Sequence, residues 1–304
     1  MADLPPEPSP VVFQSANRSG VDADAASAHT GRRKAVSIVV FCSVAVLVVL
    51  CAILVPTIGV IGAPIGAAVA IAVGMSLWFG STSLLLRSLR TTGADELDEP
   101  RVFNLVDGLC ATMGLPPPEI QLVDDPLPGA LAIGLDADRA VLVLTTGLLS
   151  ALDPVELEGV LAHELSHIKR GDNACATVAP AAVLPIARAV PPARASLGNF
   201  VHRMAGRGRE FEADRRAVSV TRYPPGLRQA LCTLTEAPDD VGVRAASTLT
   251  SRPVVQVTRW LWTVPFEFDG PRSSGRAADT ESGHAGATGE LDAPDVRIAA
   301  LDEW

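Results

Sequence analysis

Hydrophobic and polar positions divide the chain into zones of different rhythm. Residues 1–34 show no apolar period and are rich in Pro, Ser, Ala and Asp, which predicts a disordered arm. From Ala35 to Leu86 no charged residue occurs, a run longer than two bilayer spans of about 20 residues each. Pro56, Gly59, Gly62 and Pro64 interrupt it. The pattern predicts one helix over about Ala35–Val55 and a second from Ile58 or Pro64 to Phe79, a two-helix transmembrane hairpin within residues 35–90. Both runs are apolar on every face, which separates them from a buried soluble hairpin. A cleaved signal peptide does not suit the polar stretch ahead of the basic cluster or the missing small-residue cleavage site. Arg32, Arg33 and Lys34 precede the first run, and Arg87 and Arg90 follow the second. The positive-inside rule then puts both ends in the cytoplasm. The expectation is a multi-pass protein of the cell membrane whose larger part faces the cytosol.

Beyond residue 90 the rhythm becomes that of a globular domain, 91–268. Val102, Leu105, Val106, Leu109 and Met113 fall on one face of a helix from Pro100 to Met113, which Gly114 and the prolines after it stop. Residues 119–124 and 140–145 read as strands, Ala130–Gly134 as a third, and 135–138 as a turn. The apolar stretch Ala174–Ala187 is too short to span and is broken by Pro180 and Pro185; it reads as interfacial or packed. Trp260 to Phe266 reads as a segment dipping into a membrane surface or as core. Residues 269–304 read as a flexible tail ending in a short helix.

A further helix carries the chemistry. Asp153 suits the N-cap, Pro154 the first helical position, Glu156 the capping box, and Gly171 the end. Inside it, His163 and His167 lie four residues apart, so at about 100° per residue both imidazoles return to one face and can share a tetrahedral ion. Glu164 lies beside that face, placed to take a proton from a metal-bound water whose pKa falls toward ~7. Such a site needs a third ligand. Glu210 and Asp214, also four apart, supply a ligand and an acceptor for the free imidazole N–H, and nearby arginines such as Arg207 hold carboxylates charged. The alternative for that pair is a solvated helix face. Glu212 points about 200° away from Glu210 and ranks below both.

Composition narrows the class. The net charge of −9 lies mostly outside the apolar hairpin, which argues against nucleic acid as a partner, and the mean hydropathy of +0.29 is largely set by the hairpin. Five scattered cysteines form no zinc-ribbon or redox spacing and read as reduced packing residues.

The run Ile120-Gln-Leu-Val-Asp-Asp-Pro126, then Ala132-Ile-Gly134, Val141 to Leu149, and Glu156 to Asp172 with its His-Glu-Leu-Ser-His core, resembles the HtpX-like branch of membrane zinc metallopeptidases, the clan that includes the CAAX prenyl protease. The resemblance covers roughly residues 35–235. It implies an α+β, zincin-like, mainly helical catalytic domain with a small sheet. It also implies one Zn2+ per chain held by His163, His167 and Glu210, Glu164 as general base, Asp214 behind the ligands, and Arg207 as the arginine preceding the third ligand. Two departures stand out. Gly129 occupies the place of the family's asparagine before Ala-x-Ala, and Asp292 to Val296 precede Arg297-Ile298 where the family has His-Pro-Pro. Arg297, Tyr223 and His284 are the candidate substitutes for transition-state support, with an exposed helix end and a tail histidine as the ordinary alternatives.

The expected activity is peptide-bond hydrolysis on membrane-proximal or misfolded polypeptide, with the bilayer and a polypeptide as partners. Two alternatives remain open: a catalytically weak zinc-binding membrane adaptor, and a sensor protease specific for a single regulator.

Overall fold

The computed structural model describes residues 10–206, 208–237, 241–266 and 293–304, and of residues 10–29, 241, 244 and 245 the backbone alone. Helix α1 (Pro10–Ile58) and helix α2 (Gly62–Leu89) are separated by one 3-10 turn, Gly59–Ile61, in which Gly59 has φ 70°. α1 therefore runs through residues 10–34, most of the stretch expected to be an aperiodic arm. No proline falls between Pro10 and Pro56, and each residue added to an existing helix gains a hydrogen bond, so the apolar segment propagates its helix upstream. α2 likewise continues past Phe79 to Leu89, ending on Arg90 in the left-handed region. The two helices fold back antiparallel. A Cβ on Gly74 would lie 2.5 Å from Ser43 Oγ, and one on Gly66 would touch Cys51 Sγ at 3.4 Å, so glycines set the close approach. Phe41, Val48, Ile71 and Phe79 point outward and exposed. By length and composition the stretch Thr30–Leu89 suffices to cross a membrane.

Four strands form a mixed sheet: β1 (Thr92–Gly93), β2 (Glu119–Val123), β3 (Ala130–Ile133) and β4 (Val141–Thr145), in the order β1-β2-β4-β3. β2 and β4 are parallel, while β1 on β2 and β3 on β4 are antiparallel. The three longer strands lie where alternating and β-branched residues place them; β1, two residues long, has no pattern to read. β4 is buried along its whole length, and β3 forms one edge.

Helices complete a mostly helical α+β fold: α3 (Pro100–Met113), α4 (Thr146–Ala151), α5 (Pro154–Arg170), α6 (Asn173–Ala189), α7 (Arg194–Ala205), α8 (Arg209–Thr221), α9 (Pro224–Glu236), α10 (Val241–Ala246), α11 (Pro253–Thr258) and α12 (Pro294–Asp302). α5 is the hub, touching α3, α8, α9 and β3. The Asp153 carboxylate accepts from Val155 and Glu156 N–H while Glu156 reaches back to the Asp153 N–H, and Gly171 ends the helix at φ 65°. α6 is packed rather than interfacial: Ala174 to Ala181 are buried, and the helix lies on α1 and α2. Trp262 is fully buried and so belongs to the core, beside Phe266.

Candidate metal centre

α5 is buried on nearly every side from Leu157 to Ile168, with Leu157, Val160, Leu161, Leu165 and Ile168 in the core, and this burial carries His163, Glu164 and His167 into the interior. α8 can approach because the residues it turns toward α5 include the small, buried Ala213 and Ala217. That brings Glu210 to the histidines. His163 Nε2 lies 3.3 Å from His167 Nε2 and 3.1 Å from Glu210 Oε2, and His167 Nε2 lies 3.5 Å from Glu210 Oε2. Ligands about 2.0–2.1 Å from a tetrahedral zinc stand about 3.3–3.4 Å from one another, so this triangle has the dimensions of one face of a zinc site. All three residues are at most 5% exposed. Two imidazole nitrogens and a carboxylate oxygen converging in a buried place form a donor set that fits zinc.

The opposite ring nitrogens are already engaged. His163 Nδ1 lies 2.7 Å from Asp214 Oδ1 and His167 Nδ1 lies 3.1 Å from Asp172 Oδ1, which turns both Nε2 atoms toward the third ligand. Arg297 is fully buried and grips Asp214 with two nitrogens, at 2.6 and 2.7 Å, rather than sitting exposed at a helix end. Arg209 Nε donates to Glu210 Oε1 at 2.8 Å. Burial would raise the carboxyl pKa of Glu210, but the Arg209 guanidinium and the two imidazoles outweigh it and hold the group well below the carboxylate range. Asp214 is lowered against the same burial, by Arg297 first and then His163. For His167, burial disfavours the cation most strongly, yet the charge and hydrogen bond of Asp172 together with the Glu210 charge outweigh it and push its pKa up to about 9.

Glu164, one residue round the helix from His163, has both carboxylate oxygens satisfied. Ala132 N–H donates to Oε2 at 2.8 Å, and the Thr263 hydroxyl donates to Oε1 at 2.5 Å. Thr263 is fixed in turn: its N–H donates to Ala130 O at 3.1 Å and its carbonyl accepts from Arg297 Nη1 at 2.6 Å. Two groups on the free edge of β3, Ala130 O and Ala132 N, are thus occupied from within the chain. Gly129 precedes this edge, and a Cβ there would lie 2.8 Å from Trp262 and 2.9 Å from Phe266, so the space of the expected asparagine side chain is filled by these rings.

Of the residues singled out from sequence, His163, Glu164, His167, Glu210, Asp214 and Arg297 converge here. Tyr223 does not, being 53% exposed at the start of α9, and Arg207 and His284 lie outside the described residues. Sequence reasoning missed Asp172 and Thr263, while Arg209 is one of the nearby arginines expected to keep the carboxylates charged. Asp172 had a readable signal, since it follows the helix-ending Gly171 only five residues after His167. Thr263 had none, being 99 residues from Glu164 along the chain.

Comparison with known proteins agrees with this geometry. The model of Peptidase family M48 matches residues 96–281. A protein named Protease HtpX homolog from Dictyoglomus thermophilum is 39% identical over 163 residues, 43% of this chain and 53% of that protein. Protease HtpX homolog 1 of Streptomyces coelicolor is 34% identical over 194 residues, 55% of this chain and 64% of its own. For the Protease HtpX homolog of Paraburkholderia phytofirmans the values are 32% over 206 residues, 57% and 70%. The chain thus spans about half to two-thirds of the length of these relatives. No solved structure matches it. With the family model covering well over half of the chain and the buried His163–His167–Glu210 triangle inside the matched region, this protein belongs to peptidase family M48.

Proposed function

We propose that the chain is a membrane-anchored zinc metalloendopeptidase acting on membrane-proximal or misfolded polypeptide. The observation that carries this reading is the triangle of His163, His167 and Glu210 donor atoms with edges of 3.1, 3.3 and 3.5 Å, two of them on the helix that also carries the buried Glu164. A bound zinc supplies Lewis acidity, which acidifies water and polarises a carbonyl. Glu164 receives the proton of the attacking water and hands it to the leaving amine, while Ala132 N–H and the Thr263 hydroxyl hold its carboxylate in place. Asp214 and Asp172 orient the ligand imidazoles, and Arg297 keeps Asp214 ionised. The sequence order of edge strand, α5 and α8 supports a zincin-like domain. The apolar α1–α2 pair, flanked by Arg32, Arg33, Lys34, Arg87 and Arg90, supports two crossings with the domain in the cytoplasm.

A second reading, a catalytically weak zinc protein, is favoured by Gly129 and by the occupied edge of β3. The purified protein decides between them. Metal content is measured, and casein cleavage is followed with and without zinc for the parent chain and for Glu164→Gln. One zinc per chain with cleavage lost in the variant establishes the peptidase. Zinc without cleavage in either form supports the weak reading, and no metal at all overturns both.

A further inference from the structure

On the far side of Arg209 from the ligands, where α1 meets the α5–α6 turn, lies a cavity of about 300 Å³ bounded by Thr30, Lys34, Arg170, Asp172, Gly206 and Arg209. Glycines build it. A Cβ on Gly31 would collide with the carbonyl oxygen of Gly171, so α1 lies directly on that turn. One helical turn later this brings Lys34 over the same place, its ammonium against Gly206, which has φ 104° and whose added Cβ would stand 3.4 Å from Lys34 Nζ. Arg170 contributes a second cation, held to Asp172 at 3.7 Å. Arg209 contributes a third. Its side chain is 8% exposed, and while Nε bonds Glu210, Nη1 has no hydrogen-bond partner among the described residues.

Among the described residues Lys34, Arg170 and Arg209 meet two carboxylates here, Asp172 engaged by His167 and Arg170 and Glu210 engaged by Arg209, which leaves Arg209 Nη1 as a nitrogen with no acceptor. A buried guanidinium nitrogen lacking an acceptor calls for an anion, and guanidinium with ammonium is the donor set that suits a phosphate. Position identifies the source: Lys34 is the last charged residue before the uncharged run that starts at Ala35, so on the membrane reading above the cavity stands at headgroup level. We propose that this cavity binds a phosphate group, that of an anionic phospholipid headgroup. Because Arg209 also holds Glu210, occupancy would link the bilayer surface to the third metal ligand.

The test uses the delipidated chain of residues 1–304 carrying Glu164→Gln, in detergent, with native mass spectrometry as readout. The probes are phosphatidylglycerol, phosphatidylcholine and inorganic phosphate. Phosphatidylglycerol is expected to be retained over phosphatidylcholine. Lys34→Gln should weaken it roughly five- to tenfold, a surface-lysine contribution sharpened by the cavity, whereas Arg33→Gln, the same charge lost one residue away, should not. Competition by inorganic phosphate, or phosphate binding alone with the same Lys34 dependence, shows that the phosphate group itself is recognised and which source supplies it. Equal effects of Lys34→Gln and Arg33→Gln, or no preference between the two lipids together with no phosphate binding, overturn the proposal. The readout requires no cleavage, so loss of the peptidase reading leaves it standing. A chain that stays soluble without detergent would instead remove the membrane reading and leave only the free-phosphate arm.

Discussion

At the scale of single residues, the centre depends on groups that hold other groups. Asp214 ties the His163 ring and is itself gripped by Arg297. Asp214→Asn is expected to lower zinc affinity about ten- to a hundredfold, as removal of such orienting carboxylates does elsewhere, measured by competition with a chelating dye. His167 adds a pH dependence with a definite sign. Its pKa in the metal-free chain is raised to about 9, so below that value a proton must leave before zinc binds. Affinity should therefore rise with pH toward about 9. Calorimetric titrations at pH 7 in buffers of different ionisation heat should show proton release on zinc uptake; heats independent of buffer would contradict it. Thr263 donates to the proposed base, and a hydrogen bond to a charged group contributes about 1.5–3 kcal/mol. Thr263→Val should keep its zinc and lose roughly ten- to a hundredfold in cleavage rate, and an unchanged rate would remove Thr263 from the positioning of Glu164.

At the scale of elements, β3, α5 and the 262–266 segment form one unit. Gly129, Trp262 and Phe266 are spatial partners: where relatives are expected to have an asparagine, this chain has two rings packed over a glycine. Gly129→Asn should destabilise by about 1–3 kcal/mol through overpacking. Trp262→Ala alone should cost about 3–5 kcal/mol through the cavity it leaves. Because each relieves the defect of the other, the double variant should be more stable than the sum of the two losses, read from denaturant unfolding. Additive losses would mean that glycine and ring are independent. The same segment bonds Ala130 O, so an extended peptide pairing along the whole edge of β3 has to displace Thr263.

At the scale of the whole molecule, the apolar α1–α2 pair is part of the core. Leu85 and Leu89 are fully buried, Ala35 and Ile38 join the same cluster, and α6 lies against both helices. Removing residues 1–89 uncovers α6, whose face from Ala174 to Leu184 would then be a large exposed apolar patch. The truncated chain is expected to aggregate or to melt well below the 1–304 chain in detergent. A truncated form that is monomeric and equally stable would show that α6 needs no cover.

Much was legible in the sequence alone, wherever the relevant physics is local. The capping box at Asp153 and Glu156 and the stop at Gly171 fix α5 by contacts within a few residues, and the spacing of His163 and His167 fixes their common face. The two apolar runs and three of the four strands follow from composition and alternation in the same way. Helix length at the N-terminus was not legible, because propagation from the apolar segment extends α1 through residues whose own pattern is weak. Tertiary structure alone decided which distant groups meet. Arg297 reaches Asp214 over 83 residues and Thr263 reaches Glu164 over 99, whereas Glu210, 47 residues from His163, was already the candidate third ligand from its spacing to Asp214. Such pairings arise from the packing of α8, α12 and the 262–266 segment around α5, where buried charge and polar groups must find partners, and no local periodicity records who those partners are.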